Sequence, residues 1–74
     1  MVDKVALKDR LAKAEEHVAK AAQCAARQRA IIAELTSKGL DTLEARLMLA
    51  QYEQIQELRT LECYRLRAQI SILA

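Results

Sequence analysis

The chain has no proline, no tryptophan and no phenylalanine, and Gly39 is the only glycine among its 74 residues. Without proline nothing breaks a helix from within, and with one glycine only one position is free to take the left-handed conformation that closes a helix. There are two cysteines, Cys24 and Cys63, and neither belongs to a C-x-x-C pair of the kind that marks a structural zinc site. Tyr52 and Tyr64 are the only aromatic residues, which excludes a stacking platform for single-stranded nucleic acid. No apolar run is long enough to cross a bilayer and no signal-peptide core follows Met1, so the expectation is a soluble cytoplasmic protein. Charge is nearly balanced, with 12 basic and 10 acidic residues. Residues 1–38 hold eight basic against five acidic residues and residues 39–74 four against five, too mild an asymmetry for a nucleic-acid footprint.

What is present is helical patterning on both sides of one punctuation mark. Leu7, Leu11, Ala14, Val18, Ala21, Ala25, Gln28, Ile32 and Leu35 follow alternating steps of four and three, a heptad seam that only Gln28 breaks. A second line, Val5, Ala12, Ala19, Ala26 and Ala33, recurs every seven residues about 100° round the same helix. Beyond the hinge, one apolar flank comprises Leu43, Leu47, Ala50, Leu61, Ala68 and Ile72, and another Met48, Tyr52, Ile55, Leu66, Ile70 and Leu73. A mixed strip with Leu40, Leu58, Gln51, Glu62 and Gln69 runs between them, and Leu49 and Tyr64 fall on the otherwise polar face.

The hinge carries a stop and a start back to back. Gly39 reads as the residue just past the C-cap, Leu40 can fold back on Leu35, and Lys38 sets a positive charge at the negative end of the first helix. Asp41 and Glu44 then form a D-x-x-E capping box. At the other end Asp3 can cap the first helix, with Val2 and Leu7 as a hydrophobic staple. The expected fold is all-α, a single domain spanning residues 1–74, with helix 3–37, turn 38–41 and helix 42–73. Each helix spans roughly 50 Å, and so short a connection makes the two antiparallel.

A lone hairpin encloses no core, and two flanks on the second helix ask for two neighbours. We therefore expect a homodimer forming a four-helix bundle, parallel or antiparallel, or a higher oligomer. The flank with Met48, Tyr52, Ile55, Leu66, Ile70 and Leu73 is the candidate dimer interface, while Leu49 and Tyr64 are candidates for contact with another protein.

Antiparallel pairing places residues whose numbers sum to about 79 or 80 at the same height. Cys24 and Cys63 then lie about seven residues, or roughly 10 Å, apart along the axis, too far for a disulfide within one hairpin. His17 comes level with Cys63, near Glu16 and Glu62, a mixed donor set without the ligand count of a zinc site. The sequence Glu15, Glu16, His17, Val18, Ala19 lacks the basic, glycine-containing setting of a phosphorylated histidine, so His17 reads as a helix-flank residue. Gln28 comes level with Gln51, a pair that reads as a buried polar layer fixing register. Lys20, Arg27, Arg29, Arg59, Arg65 and Arg67 are the cations available to nucleic acid, and Glu53, Glu57 and Glu62 intersperse the second group.

His17, Val18, Ala19, then Ala26, Arg27, Gln28, Arg29, then Gly39, Asp41, Thr42, then Tyr52, Glu53 form a pattern of the type H-V-A, A-R-Q-R, G-x-D-T and aromatic-Glu. In this the chain resembles a group of short helical-hairpin proteins common in alphaproteobacteria, over about residues 15–67. Such proteins often have histidine where this chain has Arg59 and arginine where it has Cys63. The resemblance implies a helical hairpin and supplies no activity.

The reading of the sequence is a non-enzymatic interaction or regulatory protein acting as a homodimer, with no cofactor, metal or small-molecule substrate, because no acid, base and nucleophile cluster in a shielded pocket. The alternative is a nucleic-acid-associated regulator using the scattered arginines.

Overall fold

The computed structural model describes residues 3–73, which form two α-helices, α1 (Lys4–Ser37) and α2 (Leu43–Leu73), folded back on each other as an antiparallel hairpin. Asp3 caps α1 from an extended conformation, its carboxylate accepting from the Val5 amide at 3.1 Å. Val2, the other half of the expected staple with Leu7, lies outside the described residues.

The hinge closes as a complete Schellman motif. The Leu40 amide donates to the Leu35 carbonyl at 2.9 Å and the Gly39 amide to the Thr36 carbonyl at 3.0 Å, with Gly39 at φ +69°. Leu40 leaves about half of its side chain in water, 55% exposed. Lys38 binds Glu34 at 3.1 Å, one turn back on the same helix. The start of α2 departs from the expected capping box. Asp41 accepts from the Leu43 amide at 3.0 Å, two residues on, and Thr42 supplies the carbonyl that takes the first helical bond, from Arg46 at 2.9 Å. Glu44 makes no return bond to the Asp41 amide, and the Asp41 carboxylate bonds two residues on, as in an Asx turn, rather than three.

Shape follows from having two rods and nothing else. The hairpin measures 56 × 14 × 13 Å with a radius of gyration of 16.8 Å, against about 11 Å for a compact domain of this length. It exposes 5721 Å², where a globular chain of its mass would expose about 4,600 Å². All the expected seam positions of α1 are buried or half-buried, from Leu7 to Leu35. At the open end Leu7 and Ala14 pack with Cys63 and Leu66, joined by Leu11, Val18 and Ile70. Toward the hinge the seam consists of Ala21, Ala25, Gln28 and Ile32 against half-buried Ala45, Leu49, Tyr52 and Gln56. Small residues on α1 let the axes approach closely, and half-buried Thr60 satisfies its hydroxyl on the Gln56 carbonyl at 2.8 Å.

Candidate interaction surface

The rotational setting of α2 decides which of its side chains are spoken for. Its inward face runs Ala45, Leu49, Tyr52, Gln56, Thr60, Cys63, Leu66 and Ile70. This corrects the expectation at four residues. Tyr52, Leu66 and Ile70, taken as dimer-interface residues, face α1, and Leu66 is only 2% exposed. Of that flank only Met48, Ile55 and Leu73 remain at the surface. Leu49, taken as a partner-surface residue, is half-buried on the same seam, whereas Tyr64 is exposed as expected. The reason is that Ala45, Gln56, Thr60 and Cys63, which carry little hydrophobic signal, complete the inward stripe and turn the leucine-rich stripe away.

The polar layer also resolves differently. Gln28 is 6% exposed and its side-chain amide donates to the Ala45 carbonyl at 3.0 Å. Gln51 lies in solvent on α2 and takes no part. A helix carbonyl points toward the C-terminus of its own helix, so the long Gln28 side chain reaches hingeward to a main-chain acceptor rather than across to a side chain. No buried side-chain nitrogen or oxygen among the described residues lacks a partner.

The register lies within a turn of the expected sum of 79 or 80. Arg67 pairs with Glu15 and Arg29 with Glu53, each at 3.8 Å and each summing to 82. His17 and Cys63 are level but on opposite sides. His17 borders a shallow groove with Cys24, Tyr52, Ile55 and Arg59, and Cys63 borders the other side with Val18 and Thr60. No group of three or more potential metal ligands forms among the described residues. Both cysteines are free thiols, Cys24 half-buried and Cys63 buried.

Four of the six candidate nucleic-acid cations sit beside carboxylates. Besides Arg29 and Arg67, Lys20 lies 3.2 Å from Glu16 and Arg59 3.2 Å from Glu62. All four pairs are solvated and contribute little stability. They do cancel the local positive field that phosphate contact requires.

What remains is the back of α2. Leu40, Leu43, Leu47, Leu58, Leu61 and Ile72 are between 45% and 82% exposed, and at 100° per residue they centre about 180° from the inward seam. Leu43 and Leu47 are four apart and Leu58 and Leu61 three apart, with Leu40 three residues ahead of Leu43 in the turn. The line is interrupted between Leu47 and Leu58 by Ala50, Gln51 and Gln54, and between Leu61 and Ile72 by Arg65, Ala68 and Gln69. No helix among the described residues is long and apolar enough to cross a membrane. No family model matches the chain, and no curated protein or solved structure matches it either. Function is therefore read from the chain's own residues.

Proposed function

We propose that this chain is a non-enzymatic helical interaction protein whose working form is a homodimer, four helices in all, assembled through the outward face of α2. The observation that carries the reading is the outward leucine line of Leu43, Leu47, Leu58 and Leu61, exposed along a hairpin that already covers its other seam. Scattered exposed leucines are ordinary, but two leucine pairs at coiled-coil spacing on one face of one helix are the pattern of a contact surface. The working form acts by presenting helix surfaces, and Tyr64, exposed beside the stripe, is where contact with a further protein is placed.

Light scattering and sedimentation test the association. The expected mass is twice the 8.3 kDa chain at micromolar concentration. Leu47→Glu with Leu58→Glu, two outward positions, is expected to give a monomer of lower thermal stability. A wild-type chain that remains a folded monomer in the same measurement would overturn the proposal.

A further inference from the structure

The outward stripe is not uniform, and its irregularities specify how a second copy sits on it. Leu43 and Leu47 lie on the hinge side of Gln51 and Gln54, and Leu58 and Leu61 on the other. In an antiparallel contact between two α2 helices, level positions share a constant number sum. A sum of about 105 sets Leu47 against Leu58, Leu43 against Leu61 and Gln51 against Gln54 of the second copy, and the reverse by symmetry. Leucine meets leucine and amide meets amide. A longer end-to-end overlap, with a sum near 112, sets Leu58 against Gln54 and Leu47 against Arg65.

Charge separates the two directions. Arg46 and Glu57 lie on the same flank of the stripe, and in an antiparallel pair the same flanks of the two helices meet. Their numbers sum to within two of the register, so each Arg46 reaches Glu57 of the other copy, twice per dimer. In a parallel pair opposite flanks meet five residues apart, which brings Glu57 against Glu62 and sets Arg65, on the stripe itself, against its own copy. The antiparallel register instead moves Arg65 to the hinge end, opposite Leu40 and within reach of Glu44. It brings Glu44 level with Glu62, a like-charge contact that offsets the Glu57–Glu62 contact of the parallel pair, so the Arg46–Glu57 attraction and the removal of the Arg65–Arg65 contact decide the direction.

We infer that the second copy of this chain docks antiparallel on the outward face of α2, about a two-fold axis passing between Tyr52 and Glu53. Because the outward and inward stripes of α2 are opposite, the four helices lie in one layer, with the two α1 helices outermost. This rests on the homodimer proposed above, and only the register and direction are new.

The experiment uses the full chain with Cys24→Ser and Cys63→Ala, carrying one nitroxide at either Glu53→Cys or Ser71→Cys, with the mass measured on the same samples. The expected separation is under about 20 Å at position 53 and about 55 Å at position 71, from roughly 1.5 Å of rise per residue. A parallel dimer gives short separations at both positions, and the end-to-end register gives about 45 Å at position 71. Either result with a dimeric mass overturns the register and leaves association standing, while a monomeric mass overturns both. A second measurement needs no label. Arg46→Glu and Glu57→Arg are each expected to weaken dimerisation about tenfold and the double variant to return to within about threefold of wild type. A double variant as weak as the singles overturns the register.

Discussion

The side-chain amide of Gln28 on α1 donates to the main-chain carbonyl of Ala45 on α2 at 3.0 Å, in a seam otherwise built from apolar and small residues. The Ala45 carbonyl keeps its own helical partner whether or not Gln28 is present, so the bond adds an attachment without being needed to satisfy the backbone. Its hold on register is weak, since a helix slid by one turn, about 5.4 Å, presents another carbonyl at nearly the same height.

Gln28→Leu is accordingly expected to change the unfolding free energy by no more than about 1 kcal/mol, because the lost bond is offset by apolar burial. Gln28→Glu is a different matter. An ionised carboxylate there is buried against a carbonyl that repels it, and the expected cost is about 2–3 kcal/mol at neutral pH. The protonated acid can still donate to Ala45, so the folded chain raises the pKa of the introduced group above its unfolded value. The penalty is therefore full at high pH and disappears as the pH falls below the unfolded value. Urea titrations of the variant and wild type across that range check both the size and the sign.

At Gly39 the structure isolates backbone strain from crowding. An added Cβ would meet nothing within 4 Å, yet φ is +69°. Gly39→Ala is expected to cost about 1 kcal/mol, a fall of roughly 4–8 °C in melting temperature for a domain of this size. Gly39→Asn, a side chain that tolerates the left-handed region, is expected to lose less. Thermal melts of both variants at one protein concentration give the comparison, and equal losses would point to a contact rather than to φ.

The hinge and the inward face of α1 could be read directly from residue order, because each has a local signal. Gly39 is the only residue able to adopt its conformation cheaply, and the nine seam positions from Leu7 to Leu35 stand out by spacing alone. The rotation of α2 could not be read in the same way. Hydropathy marks the greasiest stripe of a helix, here Leu43, Leu47, Leu58 and Leu61, whereas the stripe that faces an alanine-rich partner contains Ala45, Gln56, Thr60 and Cys63. Close packing on small residues is a tertiary property with no hydrophobic maximum in the sequence. Gln28 was legible as a polar break, but its acceptor was not, since every residue has a backbone carbonyl and only coordinates select one.

Met48 and Leu49 are neighbours in sequence but differ in burial, which makes them a sensitive test of that rotation. Leu49 is half-buried on the α1 side and Met48 is 43% exposed at the margin of the inward face. Leu49→Ala is expected to cost about 2 kcal/mol and Met48→Ala less than about 1 kcal/mol. Leu66→Ala, deep in the open-end cluster, should cost about 3 kcal/mol. Chemical denaturation of the three variants checks the order, and a larger loss at position 48 than at 49 would mean that α2 is turned the other way.

The two thiols provide a chemical check on the same arrangement without any substitution. Cys24 is half-buried at a side groove, whereas Cys63 is 3% exposed beneath Leu7, Ala14 and Leu66. Modification by a soluble aromatic disulfide reagent requires an exposed thiolate, so Cys24 should react promptly and Cys63 only when the helices part. The slow phase should therefore accelerate with urea and merge with the fast one above the unfolding midpoint. Because the two residues border opposite grooves and lie roughly 10 Å apart along the axis, mild oxidation of the native chain should form no bond between them within one hairpin. Mass spectrometry of the oxidised native protein showing that intrachain disulfide, or equal native reaction rates for both thiols, would contradict the packing of Cys63 against α1 on which the outward turn of the leucine stripe depends.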